Sequence, residues 1–575
     1  MAVENLITEH IDIWTSAVKT KSTSGRGSSK KLELYGVKKL RELILELAVR
    51  GKLVPQDPND EPASVLLEKI AQEQTQLIKD QKIKKLKKLP NISKDELLFD
   101  LPNGWQWCRV GNLFNTIQSG GTPSKRDPSY WEGNIPWASV KDLGKSLVLT
   151  DTQDHISEEG LIAGSKLANK GDLLICTRMG LGKIAIVSTP MAFNQDLKAV
   201  SLTKYVHTDF FLNSYRTIKI KGTGTTVAGI SQDQLLNYVF SLPPLQEQHR
   251  IVAKVDELMA LCDQLEQQTE ASIEAHQVLV TTLLDTLTNS ADADELMQNW
   301  ARISEHFDTL FTTEESIDQL KQTILQLAVM GKLVPQDPSD EPAAELLKRI
   351  TDEKAQLVKE KKIKKQKALP PIAEDEKPFE LPNGWEWCRL PDLGELARGK
   401  SKHRPRNDPK LYENGNIPLV QTGDVARANG TILTYTAKYN EFGLAQSQLW
   451  PKGTLCITIA ANIADTATLG FDACFPDSVV GYTPYDKEIP TVYFDYFIKT
   501  AKENLERFAP STAQKNINLE ILSNVLVPCP PKQQFPRIVE KVNLLLGICD
   551  ELKERLKESQ MSQLQLTDAI VEQAV

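Results

Sequence analysis

The sequence has no apolar run long enough to cross a membrane, and its first residues lack the basic-then-apolar pattern of a secretion signal. Its eight cysteines are scattered, without a CxxC pair or a cysteine and histidine cluster at metal-ligand spacing. These absences predict a soluble cytoplasmic protein with reduced structural thiols and no metal site. The formal net charge of −8 excludes a surface that is positive throughout, although lysines and arginines gathered in one place could still contact DNA.

Motifs of catalysis are also missing. Residues 394–401 (GELARGKS) match the phosphate-binding pattern GxxxxGK[ST], but the HRPRNDP that follows cannot begin the helix that such a loop requires. The tetrapeptide DPSY at 127–130 looks like the adenine-clamping motif of DNA adenine methyltransferases, but no glycine-rich cofactor loop accompanies it. The carboxylates and the seven histidines show no paired or clustered spacing. We therefore predict no ATP site and no catalytic site in this chain.

What the sequence does contain is a long internal repeat. Residues 40–58 (LRELILELAVRGKLVPQDP) recur as LKQTILQLAVMGKLVPQDP at 320–338, and LPPLQEQHRIVAKVDEL at 242–258 recurs as CPPKQQFPRIVEKVNLL at 529–545. The copies are 280 residues apart for the first pair and 287 for the second. Each repeat is long enough to hold its own core. The pattern predicts two copies of one module joined by a helical spacer.

Helices are predicted at the ends of each module. The apolar positions of 37–49 and 317–329 form a helical stripe, and Gly51 and Gly331 stand where each helix would stop. The helix after each proline pair has apolar residues at alternating spacings of four and three, which is the seam of a coiled coil. The predicted seam residues are Ile251, Val255, Leu258, Cys262 and Leu265 in the first copy and Ile538, Val542, Leu545, Cys549 and Leu552 in the second. We expect these two helices to pair antiparallel.

Residues 566–575 resemble 40–49, so the end of the sequence matches the opening of a repeat. This favours a closed, circularly permuted arrangement with pseudo-twofold symmetry and both termini near one helical bundle. The predicted fold class is α+β, with two similar globular domains joined by long antiparallel coiled-coil helices. The predicted boundaries are an N-terminal helical region at 1–100, a first globular domain at 101–242, a central helical spacer with a charged helix at 243–380, a second globular domain at 381–528 and a C-terminal coiled-coil helix at 529–575.

Each globular domain has loops rich in Gly, Ser, Thr, Gln and Lys at matching places. They are 118–125, 139–142 (SVKD), 177–183 and 221–226 in the first domain, and 398–404, 421–424 and 511–516 in the second. Such side chains suit contacts with DNA phosphates and base edges, although ordinary turns have a similar composition. The candidate DNA-binding residues of the first domain are Gln118, Thr122, Ser124, Lys125, Arg178, Lys183, Thr225 and Thr226. Those of the second are Lys400, Lys402, Arg404, Gln421, Thr422, Thr512, Gln514 and Lys515. The lysine-rich helix ends at 79–88 and 359–367 favour a solvated surface, with contact to DNA or a partner subunit as the alternative.

With these segments in view, the chain resembles the specificity subunit of type I restriction-modification enzymes. The resemblance rests on residues 121–143 and 224–258 of the first copy and on 415–425 of the second. The second copy departs from it at 530–539, where a glutamate is lost, and at 511–513, where STA stands in place of GTT.

The resemblance implies two target recognition domains, each reading one half of a bipartite sequence in double-stranded DNA, with paired helices setting the gap between the halves. Two modification subunits would dock on the helical spacer and bring S-adenosylmethionine for adenine methylation. Restriction subunits would bring ATP and Mg²⁺ for translocation and cleavage, and this chain would hold no cofactor. Two other functions are compatible with the sequence: a divergent DNA methyltransferase or nuclease, and a two-headed protein scaffold that does not read DNA.

Overall fold

The computed structural model describes residues 3–21, 31–84, 87–222, 228–291, 293–361, 369–460, 463–507 and 517–575. The chain divides into two compact units. Unit 1 comprises Met1–Ser272 with Ser559–Val575, and unit 2 comprises Ile273–Glu558. Each unit therefore contains one globular domain of the sequence repeat, and each is described by itself below.

The described helices of unit 1 are α1 (Val3–Glu9), α2 (Ile11–Ser16), α3 (Tyr35–Val49), α4 (Ala63–Lys79), α5 (Glu158–Gly164), α6 (Thr208–Tyr215), α7 (Gln232–Asn237) and the first part of α8 (Leu245–Thr288). Its strands are β1 (Lys19–Lys21), β2 (Lys31–Glu33), β3 (Gln106–Arg109), β4 (Phe114–Ser119), β5 (Ile135–Ala138), β6 (Val148–Leu149), β7 (Asp154–Ile156), β8 (Leu167–Ala168), β9 (Leu173–Cys176), β10 (Ile184–Val187), β11 (Met191–Phe193), β12 (Leu197–Leu202) and β13 (Val239–Leu242).

The described helices that follow are α9 (Ala293–Glu305), α10 (Phe307–Leu310), α11 (Glu314–Val329), α12 (Ala343–Lys359), α13 (Leu390–Leu393), α14 (Thr422–Arg427), α15 (Glu441–Ala445), α16 (Thr491–Arg507), α17 (Leu519–Asn524) and α18 (Gln534–Ala574). The strands of unit 2 are β14 (Glu386–Arg389), β15 (Gly394–Arg398), β16 (Ile417–Leu419), β17 (Thr431–Ile432), β18 (Ala437–Tyr439), β19 (Leu449–Trp450), β20 (Leu455–Thr458), β21 (Thr466–Leu469), β22 (Ala473–Cys474), β23 (Val479–Pro484) and β24 (Leu526–Cys529). Helix α8 ends in unit 2, and α18 begins in unit 2 and ends in unit 1.

The sheets of the two units have the same strand order. In unit 1 the orders are β4-β12-β9-β10-β6, β7-β5-β11-β8 and β13-β3, and in unit 2 they are β15-β23-β20-β21-β17, β18-β16-β22-β19 and β14-β24. Every residue of β9 and β20 is buried, as expected of apolar strands in the middle of a covered sheet. This confirms the predicted α+β class and the duplication of one module.

Glycines end the opening helix of each repeat, as the sequence predicts. Gly51 follows α3 with φ +67° and Gly331 follows α11 with φ +73°, a backbone conformation that glycine adopts without a steric penalty. The N–H groups of Lys52 and Lys332 then donate to the helix carbonyl five residues back, each at 2.9 Å. These bonds close each helix and direct the chain back along it.

The predicted seam of α18 contacts α8 and also a third helix. Within unit 2, Cys549 shares one apolar cluster with Leu284 of α8 and Leu320 of α11. Leu545 and Leu552 pack against the same cluster. The last turns of α8 therefore meet the first half of α18, as expected of antiparallel helices, and α11 completes the bundle.

The first two seam residues of α18 pack in the globular domain and not in the helical bundle. Ile538 and Val542 belong to the core of the second globular domain, together with Trp385 and Tyr493. The equivalent seam residues of α8 in unit 1 are buried as well: Ile251, Val255, Leu258 and Cys262. In unit 2, then, the opening turns of the long helix are part of the globular domain, which fixes the domain to the helix by apolar contact.

The end of α18 lies against the opening helix of unit 1. The hydroxyl of Tyr35 donates to the carboxylate of Asp568 at 2.8 Å. The ammonium group of Lys52 donates to the carbonyl oxygen of Val575 at 2.7 Å. These contacts place the end of α18 beside α3 within unit 1.

Among the described residues, no helix has the length and apolar character needed to span a bilayer. The eight cysteines all lie in described segments, and each is a buried free thiol. Burial raises the pKa of Cys262 and of Cys549 to about 11. These two seam thiols are therefore neutral near pH 7 and act as small core residues.

Candidate nucleic-acid interface

Loops of the first domain that the sequence singled out converge at the turn between β11 and β12, residues 194–196, which we call the central turn of unit 1. Gly120, at the end of β4, approaches this turn so closely that a side chain would strike the carbonyl oxygen of Asn194. The N–H of Asn194 donates at 2.9 Å to the carbonyl of Ala138, the residue before the predicted SVKD loop. The cause is the sheet order, which places β12 between β4 and β9.

One more predicted loop, and the described segment that follows another, reach the same place. The N–H of Thr177 donates to the carbonyl of Asp196 in the central turn at 2.8 Å, and its own carbonyl accepts from the N–H of Ile230 at 2.9 Å. The predicted loop at 177–183 and the segment that follows the predicted loop at 221–226 are thus joined by backbone hydrogen bonds. Thr225 and Thr226 lie outside the described residues.

The first loop contacts the central turn through Thr122 and carries an exposed positive charge at Lys125. Thr122 donates a hydrogen bond from its hydroxyl to the side-chain oxygen of Gln195 in the turn. The ammonium group of Lys125 lies 5.9 Å from the ring centre of Trp131, and its side chain is exposed. A cation over an aromatic face keeps its charge available to an anion on its other side.

Three other predicted residues bond mainly within the domain. The amide of Gln118 donates to the carbonyl of Leu167 at 3.1 Å, and the ammonium of Lys183 donates to that of Val140 at 3.1 Å. The hydroxyl of Ser124 accepts from the N–H two residues further on at 3.3 Å. These contacts give each residue a structural role in holding the loops, whatever else it contacts.

Arg178 stays accessible next to the central turn. Its side chain is 55% exposed, and its Nη1 lies 3.7 Å from the carboxylate of Asp196, which is only 12% exposed. The next residue, Met179, has φ +60° and is 68% exposed at the tip of the loop. A left-handed backbone is uncommon for a residue other than glycine, which makes this tip a candidate for contact with a ligand.

The second domain has an equivalent central turn at residues 476–478, between β22 and β23. A side chain on Gly399 would strike the carbonyl oxygen of Pro476, as with the glycine of unit 1. The N–H of Ile459 donates to Ser478 at 3.0 Å, and its carbonyl accepts from the N–H of Ile517 at 3.0 Å. The same hydrogen bonds therefore gather the loops of both domains.

The basic loop of the second domain exposes two lysines. Lys400 and Lys402 have exposed side chains, and the N–H of Lys402 donates to the amide oxygen of Gln446 at 2.6 Å. Arg404 instead turns back on its loop, where its guanidinium donates to the carbonyl of Ser401 at 2.6 Å. The two lysines are thus better placed than Arg404 to meet a ligand.

The remaining predicted residues of the second domain fall at a helix start or beyond the described segments. Gln421 and Thr422 open α14, where the N–H of Gln421 donates to the carboxylate of Asp424 at 2.9 Å. The side chain of Gln421 is exposed at that end. Outside the described residues lie Thr512, Gln514 and Lys515.

Comparison with known proteins assigns the family. The family profile of the type I restriction modification DNA specificity domain matches residues 102–275 and 382–559. Each match covers one globular domain together with part of the long helix that follows it. The chain belongs to the family of type I restriction-modification specificity subunits.

Relatives of this specificity subunit match it from end to end. It is 41% identical to the EcoAI specificity subunit of Escherichia coli over 614 aligned positions that cover 100% of both chains. It is 38% identical to the EcoEI specificity subunit of Escherichia coli, again over 100% of both chains. A chain from a structural study of complex assembly in the type I R-M system is 17% identical, with a TM-score of 0.47, covering 83% of this chain and 98% of its own.

Two more polar residues lie in the central turns of the candidate interface, and the sequence patterns did not single them out. Gln195 is exposed in the central turn of unit 1, and the Nη2 of Arg406 lies 2.8 Å from the carboxylate of Asp477 in the turn of unit 2. The sequence does contain a pattern that locates these residues. FNQDL at 193–197 and FPDSV at 475–479 are 282 positions apart, and each segment lies between matching strands. Aligning them shows one turn with different polar residues in each copy.

Two titratable groups near the candidate interface have shifted pKa values. Burial and the nearby charge of Lys166 lower the pKa of Lys198, whose ammonium donates to the hydroxyl of Ser119. In unit 2, the hydrogen bond from His403 at 2.8 Å lowers the pKa of Asp408. A phosphate near Lys198 would offset the repulsion between the two lysines and restore its charged form.

The two motif-like segments have structural roles in this specificity subunit. Gly394–Arg398 is the edge strand β15, and the described chain after it reaches the 3-10 turn Pro409–Leu411 without an intervening α-helix. The carboxylate of Asp127 caps a 3-10 turn by accepting from Ser129 N–H at 3.2 Å, and Asp408 does the same for its own turn at 3.1 Å. Within the described segments, no three His, Cys, Asp or Glu side chains gather as a metal site.

Proposed function

We propose that this specificity subunit recognises a bipartite sequence in double-stranded DNA, with one globular domain reading each half. The observation that carries the proposal is that polar and basic loops converge on the same turn of the same sheet topology in both units, while the residues at the turn differ. Gln195 and Asp477, 282 positions apart, are the clearest such pair. One scaffold with different side chains at equivalent positions is suited to two different half-sites.

In this proposal DNA is attracted by a few exposed lysines and not by the net charge of the chain. The whole chain has 76 acidic and 68 basic residues, so its overall field does not draw in a polyanion. Exposed lysines lie on the loops that contact the central turns, Lys125 in unit 1 with Lys400 and Lys402 in unit 2, and they supply positive charge there. Contacts of this kind position a protein on the phosphate backbone, and base contacts then select the sequence.

The chain selects the site and performs none of the chemistry. Two modification subunits dock on the helical spacer and carry out adenine methylation with S-adenosylmethionine, and restriction subunits use ATP and Mg²⁺ for translocation and cleavage. This division of labour is supported by membership of the specificity-subunit family. It is also supported by the structural roles of the segments at 127–130 and 394–401, the two that resembled catalytic or nucleotide-binding motifs.

A binding selection tests the proposal. The assembled complex of this chain with its modification subunits is incubated with a randomised duplex DNA library, and the retained sequences are read. We expect two short fixed sequences separated by a gap of constant length. Retention without sequence preference would contradict the proposal and favour a scaffold that does not read DNA.

A second experiment separates recognition from catalysis. The purified chain is incubated alone with labelled S-adenosylmethionine and mixed-sequence duplex DNA. No label should enter the DNA until the modification subunits are added. Transfer of label by the chain alone would instead support a divergent methyltransferase.

A further inference from the structure

We propose that each recognition domain reads a guanine with an arginine that a carboxylate of the central turn holds in place. The pairs are Arg178 with Asp196 in unit 1 and Arg406 with Asp477 in unit 2. This inference rests on the proposed function, because it assigns base contacts within the same interface. It predicts that each half of the recognised sequence contains at least one fixed G·C pair.

In unit 1 the backbone of Asp196 is held by hydrogen bonds on both sides. The backbone N–H of Asp196 donates to the side-chain oxygen of Asn194 at 3.1 Å, and its carbonyl accepts both the N–H and the hydroxyl of Thr177, at 2.8 Å and 3.1 Å. Arg178 is the next residue after Thr177, so its guanidinium is delivered to the carboxylate at 3.7 Å. The arginine is thus restrained at one side and exposed on the other.

In unit 2 the same kind of pair is built from a different loop. The Nη2 of Arg406 lies 2.8 Å from the carboxylate of Asp477, with side-chain exposures of 50% and 28%. The backbone of Arg406 is held by the hydroxyl of Tyr412, which donates to its carbonyl at 2.5 Å. A second arginine, Arg398, donates from its Nε to the carbonyl of Asp477 and so fixes the turn.

The two pairs do not occupy equivalent positions of the sequence repeat. The position of Arg178 is taken by Ala460 in unit 2 and that of Asp196 by Ser478, each 282 residues later. Unit 2 therefore lacks the pair of unit 1 and has its own, with the arginine from the loop after β15 and the carboxylate one position earlier in the turn. A contact that only stabilised the fold would be expected at the same positions in both copies.

The chemistry of the guanidinium explains why the partner would be guanine. Arginine has five N–H donors in one plane, so a carboxylate can engage one edge while another edge stays available. Two parallel donors match the O6 and N7 acceptors of guanine, the commonest specific contact in the major groove. Holding the side chain in advance reduces the entropy lost on binding. A lysine ammonium can reach the same two acceptors, but it does not hold two parallel donors in a fixed plane, so it should select guanine less strongly than arginine does.

The experiment compares substitutions in the assembled complex by selection from a randomised duplex library. For Arg178→Lys we expect the preference for guanine at one position of one half-site to fall about 5- to 150-fold, with the salt dependence of binding preserved because the charge remains. Asp196→Asn should weaken the same preference by a smaller factor, since it removes the restraint and keeps the arginine. Arg406→Lys and Asp477→Asn should act in the same way on the other half-site.

Arg126→Lys is the matched control, because Arg126 is an exposed arginine of the loop preceding the 3-10 turn in unit 1. It should leave every base preference unchanged. If the wild type selects a bipartite sequence and Arg178→Lys and Arg406→Lys leave all base preferences intact, the inference is wrong while the proposed function stands. If Arg178→Ala lowers affinity for all sequences equally and reduces the salt slope, that arginine contacts phosphate and the inference is overturned. A wild type that selects no sequence would refute the proposed function itself.

Discussion

The ammonium group of Lys332 donates to the last carbonyl of α8, 2.8 Å from the oxygen of Thr288, and to the carbonyl of Ser290 just beyond the helix, at 2.9 Å. Lys52, which stands 280 positions earlier in the other repeat, donates to the carbonyl of Val575 at the end of α18 at 2.7 Å. Carbonyls at the end of a helix lack partners within it and carry partial negative charge. Each long helix is therefore tied at its end by the lysine of a GKLVPQDP segment.

Replacing Lys332 with methionine tests this tie. The substitution keeps most of the length of the side chain and removes its charge and its donors. We expect the last turn of α8 to open more readily, by about 1–2 kcal/mol in the free energy of local opening. Hydrogen exchange of the peptide at 280–290 in the full chain measures the change. Lys348→Met, at an exposed position of α12, is the control, and equal exchange in all three proteins would show that the lysine does not hold the helix end.

A second contact occurs in both units, but its acceptor is a carboxylate in unit 1 and an amide in unit 2. The indole N–H of Trp105 donates to the carboxylate of Glu247 at 3.0 Å, and the amide of Gln56 donates to the same carboxylate at 3.1 Å. In unit 2 the indole of Trp385 donates to the neutral amide oxygen of Gln534 at 3.0 Å. Burial raises the pKa of Glu247, and the hydrogen bonds from Gln56 and Trp105 act in the opposite direction.

This difference predicts a pH dependence of stability that belongs to unit 1. Because the folded-state pKa of Glu247 lies above its ordinary value of 4.5, the folded protein binds more protons than the unfolded chain between the two values. The stability that protonated Glu247 contributes at low pH is therefore lost as the pH rises from 4.5 through the folded-state pKa of Glu247. Glu247→Gln lacks this linkage, so its free energy of unfolding should increase relative to the wild type between about pH 4 and about pH 7.

Urea unfolding at a series of pH values measures the effect. The reverse substitution, Gln534→Glu, is the matched variant and should introduce the same loss of stability into unit 2. Parallel pH profiles for the wild type and Glu247→Gln would show that the carboxylate is not penalised by burial.

The sequence predicts the helices and the duplication of this fold well, because both are encoded locally. Gly51 ends α3 where the apolar stripe ends, and the four-and-three spacing places Cys262 and Cys549 on buried helix faces. The repeat also locates the loops of the interface, since Gly and Thr clusters between strands fall at matching places. These patterns do not predict that α11 packs against the seam of α8 and α18, because that contact joins residues far apart in the sequence.

The side-chain arrangement of the interface is set by strand order, which the local sequence does not encode. Lys183 looks available in the sequence, but its ammonium donates to the carbonyl of Val140, which follows β5. β5 pairs with β11 and β9 pairs with β12, and β11 and β12 are joined by the central turn, so the two loops lie close together. Arg406 and Asp477 are 71 positions apart and meet because β15 pairs with β23. Only a prediction of these pairings would have placed the arginine and the carboxylate side by side.

Salt dependence distinguishes the lysines of the interface. Lys125→Ala, Lys400→Ala and Lys402→Ala should each weaken binding of the assembled complex to all DNA sequences and lower the slope of log affinity against log salt by about one unit. The measurement is a binding titration at several salt concentrations with specific and random duplexes. Lys183→Ala is the comparison, because its ammonium is engaged within the domain, and it should leave the slope unchanged. Unchanged slopes for the three exposed lysines would place the DNA elsewhere.

Domain exchange tests the central claim most directly. Residues 105–242 are replaced by the matching domain of a relative, the chain is expressed with its modification subunits, and methylated adenines are mapped across the host genome. Because each recognition domain has its own sheets and its own central turn, we predict that one half of the methylated sequence changes while the other half and the gap stay the same. A change in both halves, or in neither with methylation intact, would contradict recognition of one half-site by each domain.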